Sequence, residues 1–379
     1  QTRAIGTQDE GKTAWENGDQ IIVTLISQKY GEQAAALTYD GSSWSTEASL
    51  SYLENETPSV SVFYAPCYEV TEEGTMQLRS GMQLGMTEYL SGNYEIENGI
   101  MTITFEGAIR TYSRLRIATM PEATLTVTTT DFTPAGATEV ATAAYTLTTD
   151  DNGNAFLYGV FAEDATISVK QGDITLKDYT FTVEKNPNGT EYNKSYALEA
   201  RPVIDGTLGG KTEATEDDIT ALVEQLKEYV DNGITTIIVP GSEPAMIDVG
   251  SLTITAIGEA IYRLSKEESY NGKIDLVLPD VTEIVDQEFY GARALNSINL
   301  PKVTTVGDGA FYDCQYLEEL TFGSVVTAIN HKLRAEFYKV GEKVEGCDLV
   351  LNREQVNAEA DYQPNIETRT WWNTEWKSI

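Results

Sequence analysis

Short alternating stretches dominate the first part of the chain. Ile21–Ile26, Ser59–Tyr64 and Ile100–Phe105 are β-branched or aromatic runs of strand length. Turn signals separate them at Asn17-Gly18, Asp40-Gly41, Ser91-Gly92-Asn93 and Asn98-Gly99. No helical periodicity interrupts this pattern. Strands at such spacing predict an all-β, sandwich-like antiparallel domain over residues 1–120.

The pattern changes at Pro121. Eleven of the 30 residues from Pro121 to Asp150 are threonine, and Thr124–Thr128 alternates polar with apolar. Strand-like runs follow at Ala155–Phe161, Ala165–Val169, Ile174–Leu176, Tyr179–Val183 and Tyr196–Leu198. They predict a second, smaller sandwich-like domain over 121–200. The Asp/Asn cluster at 150–154 invites a calcium reading, but an EF-hand loop needs glycine at its sixth position, where this chain has Ala155. A hairpin turn is the expectation there.

From residue 201 onward a third pattern begins. Thr215-Glu216-Asp217-Asp218 resembles a capping box, with Asp in place of the usual Glu or Gln. Ile219, Leu222, Val223, Leu226 and Val230 follow at helical spacing, and Asn232-Gly233 supplies a stop. One capping helix is predicted over about 216–231. A repeat follows it. Leu278-Pro279-Asp280-Val281-Thr282-Glu283-Ile284 recurs as Leu300-Pro301-Lys302-Val303-Thr304-Thr305-Val306, and the same shift of 22 carries Phe289-Tyr290 onto Phe311-Tyr312, Leu295 onto Leu317 and Ile298 onto Leu320. Degenerate copies flank the pair, at Val239-Pro240 with Ile254–Ala260 and at Phe322–Ile329. A unit this short cannot bury its apolar face alone, so the copies are expected to stack into a short solenoid over 201–379 with the helix at its amino-terminal end.

Charge and composition narrow the chemistry. The 379 residues carry 59 acidic and 26 basic side chains, a net charge of −33, with 28 acids in residues 1–200 and 31 in residues 201–379. Such a surface excludes nucleic acid and anionic lipid as partners of a basic patch. The single histidine, His331, reads as an exposed loop residue and leaves Ser-His-Asp triads, Cys-His dyads and multi-histidine zinc sites without their parts. Cys67, Cys314 and Cys347 are too far apart for a redox or metal motif and read as buried fillers, with one disulfide pair left open. Arg110, Arg114 and Arg116 form the basic concentration of the chain and are expected to pair with neighbouring acids. No apolar run reaches the ~18–20 residues of a membrane span. The chain opens on Gln1 rather than Met, so a signal or an expression boundary is expected upstream. No catalytic, cofactor or metal residue is assigned, and a non-enzymatic protein is expected.

The repeat L-P-x-V-T-x-I/V-x-x-x-x-F-Y-x-x-x-x-L-x-x-I/L resembles the BspA-like leucine-rich repeat of bacterial surface proteins. Cys347–Asn352 and the segment with Trp371, Trp372 and Trp376 are similar to the closing element of such arrays. The amino-terminal part is similar to the fimbrillin-like proteins of Bacteroidales. The residues that carry this are Thr2-Arg3-Ala4, Trp15–Ile21 with Val23, Trp44, Val62–Pro66 and Phe105–Ile117. The two resemblances imply export, an outer-membrane lipid anchor or a place in a fimbria, and a cell-adhesion function. The partners implied are host or bacterial surface proteins or glycans, and fimbrial subunits. A glycan-binding surface lipoprotein of a nutrient-uptake system is the alternative, with exposed Tyr or Trp platforms as its contacts.

Strand geometry names the candidate ligand face. If Leu276/Leu278, Ile298/Leu300, Leu320/Phe322 and Leu349/Leu351 point inward, the outward positions are Asp275 and Val277, Ser297 and Asn299, Glu319 and Thr321, and Asp348 and Val350. Parallel stacking would make them a ladder with carboxylates on three rungs.

Overall fold

The computed structural model describes residues 7–8, 12, 14–105, 110–182, 189–267, 270, 273–307, 309–311, 314, 316–322, 328–329 and 349–352. They are mainly β-strand, with two helices, and the chain divides into two compact units, Gln1–Arg201 and Pro202–Ile379.

Within the first unit, five antiparallel strands lie in the spatial order Trp44–Ser45, Gly31–Tyr39, Gln20–Ser27, Ser59–Tyr64, Leu90–Ser91. The central strand is buried on both faces. Ile21 and Val23 pack with Val62, Trp15 and Phe105, whereas Ile22 packs on the other side with Phe63, Ala65 and Cys67. Trp15 anchors the first of these clusters, its ring edge-on to Trp44, Tyr64 and Phe105 at 5.1, 5.4 and 5.2 Å. Edge-on rings at such distances add to what area burial alone contributes.

A second sheet of eight strands follows the order Thr7–Gln8, Lys194–Glu199, Ser113–Ala118, Asn154–Phe161, Thr124–Pro134, Thr166–Gln171, Ile174–Thr180, with Ala141–Thr148 also paired to Thr124–Pro134. All its pairings are antiparallel except Ser113–Ala118 with Lys194–Glu199. Alternation in Thr124–Thr130 sends Leu125, Val127 and Thr129 inward. At its centre Phe161 lies 4.4 Å from Phe132 and 4.5 Å from Phe181, centroid to centroid. Gly159 makes room for that stack, since a Cβ there would sit 2.4 Å from the Phe132 ring. Two expectations change here. Ser113–Ala118, grouped with the first 120 residues on sequence, is a strand of the second sheet: it buries Leu115 and Ile117 in that sheet's core and takes its register from Asn154–Ala155 through Gly159. The runs 174–176 and 179–183 are also not separate, because Ile174–Thr180 is one strand that crosses a register shift opposite Val169/Lys170.

The second unit opens with helix α1, Glu216–Asp231. Thr215 Oγ1 accepts from the Asp218 N–H while Asp218 Oδ2 accepts from the Thr215 N–H, so the shorter Asp completes the capping box. Ile219, Leu222, Val223, Leu226 and Tyr229 are buried. A second helix, α2, spans Ala256–Leu264, where the sequence suggested only a degenerate repeat copy. Thr255 caps it, accepting from the Gly258 N–H at 3.1 Å, and Ile257, Ala260, Ile261 and Leu264 carry the buried face at helical spacing. The two helices pack on each other.

Beyond α1 the chain coils. The main sheet contains β1 (Thr236–Ile238), β2 (Ile274–Val277), β3 (Leu295–Leu300), β4 (Glu319–Phe322) and β5 (Leu349–Asn352), neighbours in that order. Strands β1 to β4 run parallel, and a second parallel ladder joins Glu283–Ile284, Thr305–Val306 and Ala328–Ile329. Asp275 pairs with Ser297 and Ser297 with Glu319, so the 22-residue offset is the stacking register itself. The interior is apolar: Leu276, Ile298 and Leu320 are 0, 1 and 0 % exposed, and Phe289 stacks on Phe311 at 5.5 Å with the rings 10° apart. Burying each such side chain is worth roughly 1.5–3 kcal/mol.

Candidate recognition face

The inward Leu276, Ile298 and Leu320 oblige their neighbours to face the other way. The register sets these neighbours in two cross-strand rows. Thr236, Asp275, Ser297, Glu319 and Asn352 form the first; Ile238, Val277, Asn299, Thr321 and Val350 form the second. Rungs in such a sheet are ~4.8 Å apart. Six of the predicted residues, Asp275, Val277, Ser297, Asn299, Glu319 and Thr321, are therefore brought together on one face, and the backbone register adds Val350.

The final strand β5 pairs antiparallel with β4, Phe322 opposite Leu349 and Glu319 opposite Asn352. The register therefore puts Asn352 at this rung of the row, and Asp348, predicted for it, lies outside the described residues. Two carboxylates remain in the row, with a serine between them. Thr321 also departs from expectation, being 5 % exposed with its hydroxyl 3.2 Å from Glu319 Oε1. The Ser297 hydroxyl and the Asn296 amide both donate to Asp275 Oδ1 at 2.7 Å, fixing that carboxylate across the strands. Asn299 Oδ1 is buried and has no hydrogen-bond partner among the described residues.

Thr236 and Ile238 head the two rows and escaped the sequence reading. The signal was present: aligning Val239-Pro240 with Leu278-Pro279 and Leu300-Pro301 places Ile238 beside Val277 and Thr236 beside Asp275. Chemically the first row is rich in acceptors and the second mixes apolar with amide and hydroxyl groups. Such a face complements hydrogen-bond donors and positive charge better than anions.

The other candidates resolve locally. Arg110, 3 % exposed, forms an ion pair with Glu88; Arg114 donates to Ser195 Oγ at 3.0 Å and lies over the Phe156 ring; Arg116 reaches Glu199 at 3.9 Å. Asp150 Oδ1 accepts from the N–H groups of Asn152 and Asn154 at 2.9 and 2.8 Å, which is a hairpin turn. Cys67 and Cys314 are buried, the Cys314 thiol donating to the Phe289 carbonyl oxygen at 2.9 Å, and burial pushes the Cys67 thiol up from its ordinary value. Among the described residues no three His, Cys, Asp or Glu side chains gather to hold a metal. His331, Cys347, Trp371, Trp372 and Trp376 lie outside the described residues. No described helix is long and apolar enough to cross a membrane.

The first unit contributes one concavity that sequence reasoning did not find, an open cleft of about 380 Å³ bordered by Lys12, Tyr64, Glu88, Arg114 and Tyr158. Lys12 Nζ is 2.8 Å from Asp19 Oδ2 and 5.3 Å from the Tyr64 ring centre. Burial, and then the Asp19 carboxylate, push the Tyr64 phenol well above its ordinary value. Its residues come from separate strands and loops, so no local motif announces it.

Neither the curated proteins nor the solved structures contain a match to this chain. A protein-family model does match: residues 272–340, less than a fifth of the chain, are similar to the model described as BspA type leucine rich repeat region (6 copies).

Proposed function

We propose that the protein is a non-enzymatic cell-surface protein that acts in cell adhesion or as a fimbrial component. Residues 201–379 form a short leucine-rich-repeat solenoid with α1 and α2 at its amino-terminal end, and residues 1–200 serve as a fimbrillin-like stalk of sandwich-type domains. It is exported and held at the outer membrane by a lipid anchor or within a fimbria. Its partner is a host or bacterial surface protein or glycan that offers hydrogen-bond donors or positive charge. One observation carries this reading: the 22-residue register aligns Asp275, Ser297 and Glu319 on one face beside the buried Leu276, Ile298 and Leu320. A repeat stack of this kind presents an extended surface suited to recognition.

A second reading, a glycan-binding lipoprotein of a nutrient-uptake system, is favoured by the cleft of the first unit, where Tyr64 and Tyr158 border charged groups. Its volume falls in the range of small-ligand sites. The full chain coated on beads and offered to intact cells and to a glycan array separates the two. Adhesion to cells that survives excess free oligosaccharide supports the first reading. Array binding lost on Tyr158→Ala but kept on Asp275→Asn supports the second.

A further inference from the structure

The function proposed above leaves one buried acid unused. Glu288 is 2 % exposed and occupies the repeat position at which the next coil has Ala310, itself 0 % exposed. A charged side chain in place of a buried alanine needs a reason, since an isolated buried charge is costly. Its carboxyl group meets the start of α2. Glu288 Oε1 accepts from the Thr255 hydroxyl, Oε2 lies 3.4 Å from the Thr255 N–H, and Thr255 Oγ1 accepts from the Gly258 N–H at 3.1 Å. The fit is close: a Cβ on Gly258 would lie 2.7 Å from both the carbonyl oxygen and Oε1 of Glu288. Beside them is a small cavity of about 10 Å³, the room of one water, whose walls include Val239, Ile257, Leu278 and Ile284.

Among the described residues, no lysine or arginine lines that cavity. The charged groups on the elements packed round it are Glu243, Asp280, Glu283 and Asp286 from the coil and Glu259 and Arg263 from α2. Arg263 is engaged by Glu259 at 2.6 Å, and Asp280 by Lys302 at 2.6 Å. Among the described residues, the hydroxyl, the amide and the amino-terminal end of α2 are what offset a negative charge on Glu288. We propose that Glu288 is a proton-operated latch between α2 and the adjoining repeat: neutral, it holds the 285–289 turn shut on the cap of α2, and ionised, it loosens that junction and admits water.

Burial raises the Glu288 carboxyl from 4.5 to about 7, against the lowering effect of the Thr255 hydrogen bonds. The proton therefore stabilises the closed form, fully below pH 4.5 and progressively less as pH rises through 7. With these values the opening constant of the junction rises about thirty-fold between pH 5.5 and 8.5.

The test is hydrogen exchange by mass spectrometry on the full chain across that range, each rate corrected for the intrinsic pH dependence of exchange. The comparison is between wild type and Glu288→Gln, which keeps size and hydrogen-bonding capacity but stays neutral. Every other titratable group is common to both proteins, so the difference between them isolates Glu288. In wild type, protection of amides 255–264 and 285–292 should fall about thirty-fold, and in Glu288→Gln by less than three-fold. Glu288→Ala, the residue of the next coil, serves as a second pH-insensitive variant. A flat wild-type profile overturns the proposal whether or not the variants fold, and so do equal slopes in wild type and either folded variant.

Discussion

Phe289→Ala should loosen two neighbouring coils at once. The ring is 0 % exposed and lies 5.5 Å from that of Phe311, nearly parallel to it, and Phe311 is 1 % exposed. Removing a buried phenylalanine costs about 3–5 kcal/mol, the transfer of the ring plus the cavity it leaves. Part of that sum belongs to the ring pair, about 0.5–1.5 kcal/mol. Each coil of a repeat stack contacts only its neighbours, so the loss is confined to the second unit. Against a typical domain stability of about 5–15 kcal/mol, it takes from about a fifth to nearly all of what holds that unit. The assay is urea unfolding of the full chain read by hydrogen exchange, which follows peptides of residues 202–322 separately from those of the first unit. The second-unit midpoint should drop while the first stays in place. In a double-mutant cycle with Phe311→Ala, the two losses should fall short of additivity by about 1 kcal/mol. A loss under 1 kcal/mol, or strict additivity, would refute the reasoning that these aromatics tie successive coils together.

Further outcomes follow from single groups. Thr215→Ala deletes the hydroxyl that caps α1 and should lower the stability of the second unit by about 1 kcal/mol, seen as faster exchange over residues 216–231. Gly153→Ala places a Cβ 2.4 Å from the Thr119 carbonyl oxygen at a φ of +75°, and should lower the thermal midpoint of the first unit by more than Gly18→Ala, which is left-handed but open. Asp40 is held below the usual carboxylate range by the N–H groups of Ser43 and Ser42, and Asp205 by the Thr207 hydroxyl. Their contributions are present above pH 3.8 and lost as pH falls below it, so acid unfolding should begin in that range and begin less steeply in Asp205→Asn.

Much of this architecture was legible because it is written in local alternation. Ile21–Ile26 and Ala155–Phe161 are strands wherever their partners lie, and the 22-residue offset of Leu278–Ile284 and Leu300–Val306 could be counted before any coil was seen. What stayed hidden depends on distant partners. Ser113–Ala118 has the pattern of a strand, but its sheet is decided by Asn154–Phe161 and Lys194–Glu199. Strand β5 runs antiparallel to β4, and it is this pairing that sets Asn352 in the row beside Glu319. Helix α2 was obscured because Ile254–Ala260 satisfies the repeat spacing and the helical one together. Glu288 was passed over as one acid among many, although its alignment with Ala310 was available to the eye.

The account rests most heavily on the strand face of the repeats as the adhesive surface. Its most direct test is the adhesion of the full chain bearing Asp275→Asn and Glu319→Gln together, two substitutions that keep side-chain size and remove both carboxylates from the first row. Unfolding midpoints should match wild type, because neither residue belongs to the buried interior. Adhesion to the cells that wild type binds should weaken at least about ten-fold, or 1.4 kcal/mol. Undiminished adhesion by a folded double variant would contradict the account and place the binding surface elsewhere on the molecule.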